Sequence, residues 1–289
     1  MFVARLETPA LKVAAGLGIL VLVAGCIPSP KQAASDDPTT ATTSVEPTKK
    51  KPPPPPPPAP EAETCRELKF GDIGRYSNAT PITDCAKRHT GFTFEVTMLS
   101  PDIAFDGVQI KNDAIQQEAG RFCRKAFEDY VGGDAATRAR VRLTVTYFVP
   151  NQNAYDAGAR WVRCDIIALQ AERILAELPE ELKGLLDDDA AIDDYGLCSR
   201  GDPGAIDSLQ VICDQPHTYR AVEALRLGAM DDPYPGEATT SVEGKQRCED
   251  LIVDLLGTDG GFTYSWTYPT TQDWEAGQRF GYCWNKASN

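Results

Sequence analysis

Several residue types and motifs that support enzyme chemistry are scarce or missing in this 289-residue chain. It has two histidines, and it contains neither the Cys-x-x-Cys of thioredoxin-type proteins nor the Gly-x-Ser-x-Gly turn of α/β-hydrolases. The chain is also poor in positive charge. It has 29 Lys and Arg residues and 42 Asp and Glu residues, which gives a formal net charge of −13. Nucleic-acid binding requires clusters of Lys and Arg, so we expect neither DNA nor RNA as a partner.

The acidic residues do not form a recognisable calcium loop. The run at residues 187–194, Asp-Asp-Asp-Ala-Ala-Ile-Asp-Asp, lacks the Gly and the terminal Glu of an EF-hand loop. We interpret it as a solvated acidic surface and expect no bound metal and no other cofactor.

The start of the chain has the pattern of an export signal. Arg5 and Lys12 precede an apolar run at residues 13–23, which is too short for a lasting transmembrane helix and predicts a signal peptide over residues 1–25. The run ends in Val-Ala-Gly-Cys26, which resembles a bacterial lipobox. That resemblance implies cleavage before Cys26, a lipid on its sulfur, and an anchor in the plasma membrane on the extracytoplasmic face. The alternative is an ordinary secretory signal with an incidental cysteine.

A polar, proline-rich segment follows over residues 26–64. It includes seven consecutive prolines at residues 52–58, and it is too poor in apolar residues to fold on its own. We predict a disordered stalk whose proline run forms a semi-rigid polyproline II spacer. A proline-rich ligand for another protein is the alternative interpretation.

The same ten-residue signature occurs twice in the chain. One copy is Tyr155-Asp-Ala-Gly-Ala-Arg160-Trp-Val-Arg-Cys164, and the other is Trp274-Glu-Ala-Gly-Gln-Arg279-Phe-Gly-Tyr-Cys283. A proline precedes each final cysteine by 14 residues. This agreement indicates an internal duplication. We therefore predict repeat 1 at residues 65–168 and repeat 2 at residues 195–289, joined by a connector at residues 169–194.

The cysteines divide evenly between the two repeats. After Cys26 the chain has Cys65, Cys85, Cys123 and Cys164, then Cys198, Cys213, Cys248 and Cys283. Four cysteines per repeat in an exported protein predict two disulfides per repeat. Three pairings are possible within a repeat, and the spacing does not choose among them.

Each repeat shows the pattern of a small α+β domain in which an antiparallel sheet packs against one helix. In repeat 1 apolar residues alternate at 92–98 and 141–147, as in half-buried strands, and a helical stripe at 119–130 lies between them. Repeat 2 has a matching stripe at 248–256, followed by Gly257, and alternation at 262–268. The connector resembles an amphipathic helix over residues 169–186 that Pro179 interrupts, and we expect it to pack against one domain; binding a partner is the alternative.

The two histidines occupy the same position in the two repeats. His89 and His217 each lie four residues after a cysteine. Zinc would need thiolate sulfur, and a Cys–His nucleophile would need a free thiol, whereas these cysteines are expected to be oxidised. We interpret both histidines as loop caps bonded to the backbone; the alternative is an exposed His that contacts a ligand.

Arg160 and Arg279 form the second repeated polar pair. Each could clamp an anionic ligand, or pair with an acid of its own domain such as Asp156 or Glu275. The aromatic residues that open the two signatures, Tyr155 and Trp274, could stack on a sugar ring or cover the core, and we favour the second role.

The motifs resemble the septum-formation domain family of actinobacterial envelope proteins. In repeat 2 the resemblance covers Val-Ile-Cys213-Asp-Gln-Pro-His217-Thr-Tyr, then Tyr-Pro-Gly-Glu237, Cys248, Tyr-Pro269 and the closing signature. Repeat 1 matches more faintly: it lacks the Pro before its His, and it has Ile73 where a Cys usually follows Gly-Asp, which leaves open a different partner for Cys65. The family implies exported or membrane-tethered proteins linked by name to septation, without an established reaction.

These patterns predict a membrane-anchored lipoprotein that is not an enzyme and acts as a binding module of the cell envelope. Its expected partners are the plasma membrane, through the lipid, and an envelope protein or cell-wall polymer. The alternative is an extracytoplasmic hydrolase or metal-binding protein that uses His89 or His217.

Overall fold

A computed structural model of the protein describes residues 55–257 and 262–287, which lie in one compact unit. The predicted signal peptide, Cys26 and the stalk up to residue 54 lie outside the described residues. The end of the proline run, residues 55–58, is exposed and has no regular secondary structure. Within the described part of the chain, every helix is too short or too polar to cross a bilayer.

Repeat 1 is built on an antiparallel sheet of six strands: β1 (Thr64–Arg66), β2 (Ile82–Thr83), β3 (Gly91–Met98), β4 (Leu143–Phe148), β5 (Trp161–Ala171) and β6 (Ile174–Leu175). The strand order is β2-β1-β3-β5-β4, and β6 pairs with the far end of β5. Its helices are α1 (Phe70–Ile73), α2 (Asp113–Val131), α3 (Ala135–Ala139) and α4 (Gln152–Asp156).

Repeat 2 has the same plan. After a 3₁₀ turn at Leu185–Asp187 and helix α5 (Ala190–Tyr195), its strands are β7 (Leu197–Arg200), β8 (Leu209–Ile212), β9 (Tyr219–Arg226), β10 (Tyr264–Thr267) and β11 (Phe280–Lys286). A π-helical turn at Thr239–Glu243 leads into α6 (Gly244–Leu256), and α7 (Thr271–Glu275) follows β10. The strand order β8-β7-β9-β11-β10 reproduces that of repeat 1, strand for strand. The prediction of an α+β fold with two tandem antiparallel units is confirmed.

The long helix of each repeat covers its predicted stripe and begins earlier in the chain, at Asp113 in α2 and at Gly244 in α6. Asn112 caps α2 by accepting a hydrogen bond from the backbone N–H of Ala114, and α2 gives way to Gly132 at φ 75°. Helix α6 ends at Gly257 in the left-handed conformation. The buried face of each helix carries a cysteine, Cys123 or Cys248, with no exposed surface.

The prediction of disulfide bonds is confirmed, and each of the four bonds lies within one repeat. Cys123–Cys164 and Cys248–Cys283 tie the long helix to the closing strand, whereas Cys65–Cys85 and Cys198–Cys213 tie the first strand to the chain that follows the second. Cys65 therefore pairs as its counterpart Cys198 does, despite the departure from the family motif that left its partner open. Each bond adds stability by restricting the unfolded chain.

The predicted helix at residues 169–186 is wrong. Residues 169–171 complete β5, so the predicted end of repeat 1 at residue 168 falls inside a strand, and β6 returns antiparallel to it after a turn with Arg173 at φ 58°. Three leucines with helical spacing, Leu178, Leu182 and Leu186, are buried against the core of repeat 1 without an α-helix: the first two lie in irregular chain and Leu186 lies in the 3₁₀ turn. Pairing with β5 and burial of these leucines together override the local helical periodicity.

Hydrogen bonds join the two repeats. The backbone N–H of Leu197 donates to the carbonyl of Arg140 at 2.7 Å, and that of Arg142 donates to Tyr195 at 2.8 Å. The Arg140 guanidinium bonds the carbonyl of Val222 at 2.8 Å, which carries the contact into β9. A small cavity of about 50 Å³ lies alongside, lined in part by Arg142.

Candidate functional site

Arg279 holds the loop after β9 against the closing signature of repeat 2. Its side chain is buried and donates to four backbone carbonyls, those of Ala229 (2.8 Å), Met230 (2.6 Å), Trp274 (2.6 Å) and Gln278 (3.0 Å). These bonds occupy all three guanidinium nitrogens. They take the place of the predicted pairing with Glu275 and fix the loop in position.

Arg160 makes the equivalent contacts with backbone carbonyls in repeat 1. It donates to the carbonyls of Ala104 (2.7 Å), Tyr155 (2.5 Å) and Ala159 (2.9 Å). Its remaining nitrogen pairs with the exposed carboxylate of Asp106 at 2.9 Å. The pairing with an acid of its own repeat is present, but the predicted partner Asp156 is wrong. We call each Arg, with the aromatic residue beneath it, a loop clamp.

The aromatic residues of the loop clamps are buried. Tyr155 has no exposed surface and Trp274 is 4 % exposed. The guanidinium carbon of Arg160 lies 3.8 Å from the Tyr155 ring centroid, and that of Arg279 lies 4.2 Å from the Trp274 ring. Trp274 donates to the carbonyl of Asp232 at 2.8 Å. The rings therefore cover the core beneath the loops, the role that the sequence favoured over stacking on a sugar.

Each histidine is bonded to the backbone of its own loop. Nδ1 of His89 lies 2.9 Å from the carbonyl oxygen of Lys87, and Nδ1 of His217 lies 2.8 Å from that of Gln215. A carbonyl only accepts, so Nδ1 carries the proton in both rings. His89 is 1 % exposed, which keeps its imidazole away from solvent, whereas His217 is half-buried. This geometry is the one that the loop-cap interpretation describes, and contact of either histidine with a ligand stays a prediction.

A buried charged network distinguishes repeat 1 from repeat 2. Asp165 has no exposed surface and accepts two bonds from the Arg163 guanidinium, at 3.0 and 2.9 Å, and one from the Thr93 hydroxyl at 2.7 Å. The corresponding positions of repeat 2, on either side of Cys283, are Tyr282 and Trp284. Because the network is enclosed, its charges serve the fold of repeat 1 and are out of reach of a ligand.

Repeat 2 has an open cleft of about 370 Å³ between the start of α6 and the edge strand β10. Its described lining consists of three aromatic residues from β10 and the residues after it, together with two serines and a lysine: Tyr264, Trp266, Tyr268, Ser241, Ser265 and Lys245. We call this the aromatic cleft. A volume of this size lies at the lower end of the range of ligand pockets.

Two glycines and two hydrogen bonds fix the rings of the aromatic cleft. A methyl group added at Gly244 or at Gly281 would overlap the indole of Trp266, so only glycine leaves room for this ring. The indole N–H donates to the carbonyl of Thr240 at 2.9 Å, and the hydroxyl of Tyr264 donates to Glu249 at 3.0 Å. These contacts therefore fix two of the three rings of the cleft, those of Trp266 and Tyr264.

The alternation of these aromatic residues predicted a strand and did not indicate the cleft. The duplication contained a signal for the cleft. When the two repeats are aligned on the closing proline, the cleft residues of repeat 2 differ from their counterparts in repeat 1. Val145, Tyr147 and Val149 of repeat 1 correspond to Tyr264, Trp266 and Tyr268 of repeat 2. Val149 is completely buried, whereas Tyr268 is partly exposed.

Comparison with known proteins gives one family. A family model described as septum formation matches residues 62–283, a stretch that covers both repeats. No curated protein and no solved structure matches the chain. An actinobacterial origin stays a prediction.

Proposed function

The chain belongs to the septum-formation family, and on that premise we propose that it is a lipid-anchored, non-enzymatic binding module of the cell envelope. It stands on the extracytoplasmic face of the plasma membrane and binds an envelope protein or a wall polymer during septation. The proposal adds attachment, location and mode of action to the family description.

The observation that carries this proposal is the use of the repeated residues as scaffold. The two arginines of the loop clamps, their aromatic partners and both histidines bond to backbone in the same way in each repeat. A duplication that preserves clamps and disulfides, and changes the surface between them, suits a protein that binds through that surface. The four disulfides support an oxidising compartment outside the cytoplasm.

Cys26→Ala tests the anchor. The thioether needs the sulfur of Cys26, so the variant is expected to remain unprocessed or to be released, and membrane fractionation with a lipid label measures this. Ser29→Ala, a substitution three residues further on, serves as the control and should fractionate like the wild type. Unchanged membrane retention of Cys26→Ala after loss of its signal peptide would remove the anchor from the proposal.

Cross-linking in intact envelopes, followed by recovery of the anchored protein, tests binding. We expect a reproducible protein or wall-polymer adduct with the wild type, and less of it with the released Cys26→Ala variant, because the partner is held in the envelope. Recovery of the wild type free of any adduct would contradict the binding role.

A further inference from the structure

We propose that the aromatic cleft of repeat 2 binds a short stretch of pyranose glycan that carries an anionic substituent. The inference rests on the proposed function, which places the protein among wall polymers, and it names the ligand class and the site. Three features of the described residues support it: a rigid aromatic floor, a rim of polar groups, and the difference between the two repeats.

The floor suits a ring with C–H groups on its face. Tyr264 and Trp266 occupy alternate positions of β10, so their side chains lie on the same face of the strand, and Tyr268 of the cleft lining follows the end of this strand. Each is partly exposed, and the bond to Thr240 together with the two glycines already fixes Trp266. Little side-chain entropy remains to be lost when a ligand stacks on such a floor.

The rim supplies groups that bond sugar oxygens. Ser241 lies in the π-helical turn, and Lys245 lies in the first turn of α6, where its side chain is exposed. Ser265 already donates to Asp202 at 3.0 Å, which leaves its oxygen free to accept from a sugar hydroxyl. Lys245 is the charged side chain of the described lining and can pair with a carboxylate of the glycan, whereas the nearby carboxylates of Asp202 and Glu249 are each already bonded to a lining hydroxyl.

The residues of the aromatic cleft differ between the two repeats, whereas the loop clamps and the disulfides are common to both. Repeat 1 has Tyr147 and Val162 at the positions where repeat 2 has the larger Trp266 and Gly281. In repeat 2 the indole of Trp266 lies directly against Gly281, in space that a side chain at this position would fill. The exchange retains the packing and enlarges the aromatic surface, as expected for a site that one copy acquired.

A proline-rich peptide is the competing occupant, since such peptides bind aromatic grooves. Grooves of that kind usually donate a hydrogen bond from a Trp N–H to a ligand carbonyl, and here the N–H of Trp266 is already bonded to Thr240. Stacking alone remains available to this ring, which favours a sugar. The chain's own prolines at residues 52–58 provide a direct probe of the competitor.

Calorimetric titration of the mature, full-length protein in detergent tests the proposal. The probes are a tetrasaccharide of alternating N-acetylglucosamine and N-acetylmuramic acid, which carries carboxylates, and neutral chitotetraose. We expect saturable binding, tighter for the carboxylated sugar. Tyr268→Ala should weaken binding of both sugars about tenfold through loss of a stacking face, and Tyr268→Phe should retain it. Lys245→Gln should remove the preference for the carboxylated sugar.

Matched controls lie outside the cleft. Phe105→Ala removes an aromatic side chain that is 60 % exposed in repeat 1, and Lys111→Gln removes an exposed charge; both should bind like the wild type. Failure of the wild type to bind either sugar, or equal binding by folded Tyr268→Ala, would overturn the proposal. Tighter binding of a peptide of residues 47–60 at the cleft would replace the glycan by a proline-rich ligand.

The envelope cross-linking experiment distinguishes a failure of the glycan site from a failure of the proposed function. If Tyr268→Ala gives the same envelope adducts as the wild type and the titrations show no sugar binding, the glycan site is wrong and the binding module stands. If the wild type itself gives no adduct, the proposed function fails, whatever the titrations show.

Discussion

At the scale of single residues, the repeated arginines account for the signature that the two repeats share. A guanidinium in one plane can satisfy several carbonyls at once, and Arg279 does so for two carbonyls of the loop after β9 and two of the closing signature. Lysine carries the same charge but ends in a single nitrogen. The position therefore requires the shape of arginine as well as its charge.

Arg279→Lys should lower the free energy of unfolding by about 2–3 kcal/mol, because buried carbonyls lose charged donors. Chemical denaturation measures the change. Arg200→Lys, at an exposed arginine that bonds the carbonyl of Pro216, is the control and should change stability by less than about 0.5 kcal/mol. A loss no larger than that of the control would show that the clamp contributes little.

Two tyrosines predict how stability depends on alkaline pH. Burial raises the pKa of Tyr195 and of Tyr282 to about 12, whereas an unfolded tyrosine ionises near pH 10. Between these values the folded state holds more protons than the unfolded state, so the contribution of each phenol to stability is present below pH 10 and is lost as pH rises to 12. Burial lowers the pKa of Arg142 to about 10, which opposes this loss.

The double variant Tyr195→Phe/Tyr282→Phe removes the contribution of these two tyrosines and retains that of Tyr264, whose pKa burial also raises to about 12. Since Arg142 is unchanged in it, the fall in unfolding free energy from pH 10 to 12 should be smaller than in the wild type. Urea denaturation at a series of pH values measures both slopes, and Tyr76→Phe, which removes one phenol hydroxyl from repeat 1, gives the reference. Parallel slopes for the wild type and the double variant would contradict the assignment.

At the scale of secondary-structure elements, the sequence predicted the features that are determined by residues close together in the chain. The buried stripe of α2 and its stop at Gly132 follow from spacing and capping within one segment, as does the end of α6 at Gly257. The strand at residues 169–171 does not, because it depends on pairing with β6, and the leucines that follow it at residues 178, 182 and 186 have a helical spacing. The aromatic cleft also depends on distant segments, since α6 and β10 form its two walls.

The contact between β10 and β11 in the sheet of repeat 2 predicts the effect of a glycine substitution. Gly281→Ala places a methyl group against the indole of Trp266 and should cost about 1–3 kcal/mol through overpacking. Adding Trp266→Tyr, which restores the smaller ring of repeat 1, should recover part of the loss in a double-mutant cycle. Gly74→Ala has open space around it and should be nearly neutral. Independent effects of the two substitutions would contradict the proposed packing.

At the scale of the whole molecule, duplication produced two similar sheets that have ceased to be independent. The hydrophobic core of repeat 1 includes Ile212 of β8 and Ile192 of α5, and the repeats exchange backbone hydrogen bonds at Arg140 and Arg142. Disulfides remain within each repeat. The disulfides therefore constrain each repeat separately, whereas apolar packing and hydrogen bonds hold the two repeats together.

Because neither repeat can bury its apolar surface without the other, we expect the oxidised protein to unfold in a single cooperative transition. Scanning calorimetry should give a calorimetric enthalpy close to the van't Hoff enthalpy. Ile212→Ala, at the shared core, should lower the melting temperature of the whole transition and leave it single, and Ile82→Ala, at a 55 % exposed isoleucine, is the control. Two resolved transitions in the wild type, with only one of them sensitive to Ile212→Ala, would show that the repeats fold as separate domains.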